Sequence, residues 1–200
     1  MSDVKSRFYR QTNRAEQVAE TRQRIVEAAI KLHTTTGPAR TSLSQVASEA
    51  GVSRPTLYAH FPDESALLQA CTFHSSASDP PPDPQTWVEV TSAERRVRRG
   101  LTELYEYFER TESLTANILR DMYIVPAMKK LNVPMLESAF TQMREILAAG
   151  FEDRTEAVRK RRKAAVAVAL NFGTWQVLTR QQRLTRSQAV DVMTGFIKAA

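Results

Sequence analysis

Residues 50–65, AGVSRPTLYAHFPDES, gather Arg54, Thr56, Tyr58 and His60 into one short window, and these are side chains suited to phosphates and base edges. Elsewhere the residue types that do chemistry are sparse. His33, His60 and His74 are the only histidines, and their spacing suits no metal. Cys71 is the single cysteine, so neither an intramolecular disulfide nor a zinc site can be built on it. No Gly-rich phosphate loop or nucleophile elbow occurs. The expectation is a protein with no catalytic residue, no metal and no cofactor, whose chemistry is recognition. An enzyme is the rival class, and turnover of a bound effector is what would favour it.

Two short helices must position that window. The first begins near Ser42, with Leu43, Val46, Ala47 and Ala50 at i, i+3, i+4 and i+7 forming one apolar face. Gly51 ends it by supplying the left-handed conformation of a tight turn. Ser53 then caps a second helix, and Pro55 falls in its first turn, where a missing N–H costs nothing. Val52 and Leu57 fill the wedge, while a small Ala47 lets the helices cross closely. The 100° step turns Leu57 and Phe61 inward and Pro55, Thr56 and Ala59 outward, with Arg54, Tyr58 and His60 on the flanks. A helical hairpin within an all-α core is the plainer alternative. The Ala, Gly, cap and Leu requirements met together at fixed offsets favour a helix-turn-helix, whose exposed helix enters a major groove. Thr56, with Pro55 or Ala59, then touches base edges or thymine methyls. Arg54, Tyr58 and His60 meet phosphates, as do Thr41 and Ser42 at the start of the preceding helix.

The segment TSLSQVASEAGVSRPTLYAHFPDESALL resembles the DNA-binding motif of the TetR family of bacterial transcriptional regulators, over about Arg24 to Leu68. The resemblance implies a homodimer bound to a partly palindromic operator and released by a small ligand, most often as a repressor. An activator is not excluded by sequence. One position departs from the family pattern: Glu64 stands where a Lys usually reaches a phosphate. That keeps open a second rival, a helix-turn-helix protein acting through a protein partner. A basic arm over residues 1–14, with Lys5, Arg7, Arg10 and Arg14, is a candidate for compensating contacts.

Helical periodicity continues along the chain and no strand-like alternation is sustained. The expected fold is all-α with about nine helices. An amino-terminal helix-turn-helix domain spans residues 1–75, a proline-rich linker 76–85, and a helical effector and dimerisation domain 86–200. Helices are expected at 86–110, 113–122, 134–150, 155–179 and 187–199. In the last two, Ala165, Val168, Ala169, Phe172, Val190, Met193 and Ile197 are the dimer candidates, with intramolecular core as the alternative. Apolar pockets with a few polar groups suit effectors; the lining candidates are Leu101, Tyr105, Phe108, Asn117, Phe140, Met143, Asn171 and Trp175. Asn171, an amide inside AVALNFGTW, is free to meet a ligand, set dimer register or satisfy a neighbouring helix.

Composition agrees with recognition of a polyanion. The 200 residues carry 28 Lys and Arg against 22 Asp and Glu, a formal net charge of +6. The charge runs at 94–100 and 159–163 are read as solvated helix faces. The longest apolar run, Ala164 to Leu170, is far short of a membrane span, so a cytoplasmic location with no membrane partner is expected.

Overall fold

The computed structural model of the chain describes residues 2–152 and 155–200, with side chains from residue 14 onward. Among the described residues ten α-helices occur and no strand. They form two compact units, Met1–Ser78 with Ser113–Leu131, and Asp79–Glu112 with Asn132–Ala200. The first stretch ends at Ser78, and α4 takes in the first three residues of the segment expected as a linker. The second stretch of that unit lies inside what was expected to be the carboxy-terminal domain, because a helix starting in one unit ends in the other.

In the first unit α1 (Ser2–Thr35) runs through the residues expected as an arm. A 3₁₀ turn at Pro38–Arg40 follows, then α2 (Leu43–Glu49), α3 (Arg54–His60) and α4 (Glu64–Ser78). Its core is Ile25, Val26, Ala28 and Ala29 of α1, Val46, Ala47 and Ala50, then Leu57, Phe61, Leu67 and Cys71. Burying those side chains together lets two seven-residue helices persist that would not hold alone in water. Cys71 belongs to that core, and burial pushes its thiol up to about 12, so it acts as a small hydrophobe.

The second unit contains α5 (Gln85–Val88), most of α6 (Ala93–Asp121) and of α7 (Pro126–Ala148), α8 (Glu156–Ala169), α9 (Phe172–Gln176), a π-type turn at Val177–Gln181, and α10 (Arg186–Ala199). Trp87 is fully buried and donates its indole N–H to Glu103 at 2.6 Å. Gly100 lets helices close on one another, since an added Cβ would lie 2.8 Å from Leu147. The charge runs are more structural than expected. Arg96 is buried and donates to the carbonyls of Val90, Ile146 and Ala149, satisfying the end of α7. Arg162 donates to the Ile197 carbonyl at 2.5 Å and lies over the Phe151 ring.

Candidate nucleic-acid interface and aromatic cluster

The turn between α2 and α3 is built as its residues require. Ser42 and Gln45 form a capping box at the start of α2. Gly51 sits at φ 64°, and the Val52 N–H donates to the Ala47 carbonyl at 2.9 Å. Ser53 caps α3, accepting from the Thr56 N–H at 3.2 Å. Leu57 and Phe61 are fully buried, which fixes the outward face of α3. On that face Pro55 and Ala59 are exposed and Thr56 is half-buried. The Thr56 hydroxyl is held against the Ser53 hydroxyl at 2.7 Å.

Arg54 is exposed, Tyr58 is 43% exposed and His60 is half-buried. Ser42 is exposed and Thr41 half-buried, the Thr41 hydroxyl donating to the Gly37 carbonyl at 2.8 Å. The side chains expected at the nucleic acid thus all belong to α3 or the approach to α2. Arg22 was not foreseen. It donates to the His60 carbonyl at 3.0 Å and lies over the Phe61 ring, so it satisfies the end of α3 from α1. Nothing in its local sequence marks it. Glu64 opens α4 beside Asp63, whose carboxylate accepts from the Ala66 N–H at 2.8 Å.

The same unit holds a polar knot at the end of α1. Asn117 donates its amide to the carbonyls of His33 and Thr34, and Arg120 donates to that of Thr36. Asp121, buried and paired with Arg120, accepts from the Ala39 N–H at 3.0 Å. The hydrogen bond from Arg120 holds the Asp121 carboxyl below its ordinary range despite burial. Gly37 lies inside the knot at φ 97°, where a Cβ would fall 2.0 Å from the Arg120 guanidinium. Asn117 was expected among effector-lining residues. Its amide is instead spent on carbonyls of the last turn of α1, groups that helix ends leave orphaned.

Of the other lining candidates, three rings come together, and Phe172, expected at the dimer interface, joins them. Phe108 contacts Phe172 edge-on at 5.1 Å between centroids and Trp175 at 5.7 Å, with Tyr105 stacked at 6.4 Å. Leu101, Tyr105 and Trp175 are fully buried, and the Tyr105 hydroxyl donates to the Ala169 carbonyl at 2.9 Å. Met143 is buried and Phe140 half-buried on α7, but Phe140 makes no ring contact among the described residues. Arg180 lies over the Trp175 ring and pairs with Glu112 at 2.7 Å. The Trp175 indole N–H is buried with no hydrogen-bond partner. Asn171 is exposed and is not a buried amide. It ends the expected 155–179 helix by capping α9, accepting from the Gly173 N–H at 2.8 Å.

The dimer candidates are largely inside the chain. Ala165, Ala169, Phe172, Val190, Met193 and Ile197 are buried in the second unit's own core, and only Val168 is exposed, at 46%. These six lie on the faces that α8, α9 and α10 turn toward one another. The opposite faces carry the exposed apolar residues: Ala164, Ala167 and Val168 on α8, and Val192, Gly195, Phe196 and Ala199 on α10. No group of three potential metal ligands occurs among the described residues, and no helix there is long and apolar enough to cross a membrane.

Residues 25–71 match the sequence model of bacterial regulatory proteins, tetR family. That segment is similar to HTH-type transcriptional regulators: AcrR of Shigella flexneri, 42% identical over 26% of this chain and 25% of the relative, and TtgR of Pseudomonas putida, 44% identical over 28% and 26%. The chain thus matches about a quarter of the length of these curated relatives. Solved structures extend the likeness to the whole fold. The TetR regulator PfmR of Thermus thermophilus aligns at TM-score 0.59 with 22% identity, covering 88% of this chain and 92% of that one. A transcriptional regulator of Saccharomonospora viridis, solved in complex with choline, aligns at 0.59 with 19% identity over 90% and 96%.

Proposed function

Because the chain belongs to the TetR family of bacterial regulatory proteins, we propose that it is a sequence-specific transcriptional regulator, a repressor released from a palindromic operator by a small-molecule effector. The observation that carries this reading is the α2–α3 wedge, which buries Leu57 and Phe61 and leaves Pro55, Thr56 and Ala59 outward. A rigid, exposed recognition helix flanked by Arg54, Tyr58 and His60 suits a major groove, with the flanks on phosphates.

A palindrome requires a two-fold assembly. The exposed stripes of α8 and α10 support one: Ala164, Ala167 and Val168 recur at i, i+3 and i+4, as do Val192, Gly195 and Phe196. Gly195 has open space where a Cβ would stand, which permits close approach of a second copy. The effector site we place at the aromatic cluster of Tyr105, Phe108, Phe172 and Trp175. The free indole N–H of Trp175 would meet an acceptor on the ligand, because a buried donor left unpaired is costly. An effector releases the operator only by binding the released conformation better. Helix α6 offers the covalent route, since it carries Tyr105 and Phe108 along its length and Asn117 and Arg120 at its end.

Selection of bound duplexes from a random pool tests the reading. A palindromic motif is expected. Enrichment of no motif would move the function to a protein partner, and Glu64 would then be the first residue to revert to Lys.

A further inference from the structure

We propose that Arg22 is a positioning residue for operator recognition: reaching across from α1, it fixes the carboxy-terminal end of α3 and with it the pose of the recognition helix. The inference rests on the DNA-binding reading above and adds a residue that acts through α3. Helix α3 has seven residues, and its sequence supplies no glycine to end it. Phe61 leaves the helix in extended backbone, at φ −138° and ψ 97°, the conformation favoured before a proline. Pro62 has no N–H, so the Tyr58 carbonyl lacks the donor that a continuing helix would bring. The Phe61 N–H closes on the Leu57 carbonyl at 2.8 Å. Beyond that bond the His60 carbonyl is taken by Arg22, 38 positions earlier in the chain, at 3.0 Å. The same guanidinium lies over the Phe61 ring, 4.2 Å from its centroid. One side chain thus holds both residues at the end of α3, one by its carbonyl and the other by its ring.

Helix α1 places Arg22 for this task. Ile25, Val26 and Ala29 follow it at i+3, i+4 and i+7 and are buried in the unit's core, so its stem leaves from the packed face of a long helix. A cation is also the favoured charge at a helix C-terminus. The Ser53 cap fixes the amino end of α3 and buried Leu57 its middle. Tyr58 and His60 ride on the end that Arg22 holds. Loosening that end costs sequence-specific binding, which needs one pose, and leaves sequence-independent attraction to phosphates in place. At an exposed site a cation–π contact and a cation at a helix end each favour the held state about threefold. Two recognition helices engage a palindrome, so the effect is counted twice.

The experiment uses the full chain, the palindrome selected from the random pool and a scrambled duplex of the same composition. Arg22→Met keeps an apolar stem and removes the cation and its donors at an exposed position. Affinity for the palindrome should fall at least about tenfold, with the scrambled duplex bound within about twofold of wild type and the salt slope unchanged. In the free variant the Leu57 and Phe61 amides should exchange faster at an unaltered denaturation midpoint. Arg22→Lys, which keeps the charge and a donor, should recover the palindrome to within about threefold. Equal weakening on both duplexes, with a salt slope shallower by about 0.9 per protomer, would make Arg22 a phosphate anchor. That result would overturn the positioning role and leave the DNA-binding function standing, as would unchanged affinity for the palindrome. Selection of no motif at all would overturn both.

Discussion

His33 sits near the end of α1 with its ring buried, and burial pulls its pKa from 6.5 down to about 4, against the opposing pull of Asp121. The folded protein therefore keeps the imidazole neutral in a range where the unfolded chain protonates it. Its contribution is present in full above pH 6.5 and is lost as pH falls toward 4, since the unfolded state then binds more protons. The shift corresponds to about 3 kcal/mol at most. Urea denaturation at pH 7 and pH 4.5 should show this decline in the wild type, and His33→Leu should flatten it. An equal decline in the variant would assign the acid sensitivity to other groups. The knot around His33 also makes Asn117 a structural amide. Its sequence neighbours gave no sign of that, because its partners are carbonyls more than eighty residues away.

At the scale of elements, legibility followed locality. The bounds of α2 and α3 were readable because Ser42, Gly51 and Ser53 act on their own turns. The bounds of α6 and α7 were not. Helix α6 continues through the expected break at 111–112, with the Thr111 hydroxyl bonded back to the Tyr107 carbonyl, while Pro126 starts α7 early and exposed Pro134 is tolerated within it. The apolar run before Asn171 hid a cap, since periodicity alone does not distinguish a continuing helix from two joined ones. Six of the dimer candidates are buried within the chain for a related reason: an apolar stripe has two possible partners, and only packing decides which face stays exposed. Asn171→Ala should accordingly lower stability by about 1 kcal/mol in chemical denaturation and leave effector affinity unchanged. A selective loss of effector binding would return Asn171 to the ligand site.

For the whole molecule the account depends on two copies acting together. Phe196, 48% exposed on α10, lies among the small residues of the proposed interface. Replacing it by Glu puts an unpaired charge in an apolar contact without disturbing the chain's own core. Light scattering should then report a monomer with unchanged helical circular dichroism, and affinity for a palindrome should fall at least tenfold. A variant that remains dimeric would place the interface elsewhere. The net charge of +6 supplies attraction to any duplex, so attraction alone does not establish recognition. The most direct measurement is affinity against salt for the selected palindrome and for a scrambled duplex of the same composition. The account predicts log affinity falling linearly with log salt on both, about 0.9 per phosphate neutralised, with the palindrome bound at least about a thousandfold tighter at any one salt concentration. Equal affinities for the two duplexes would contradict it.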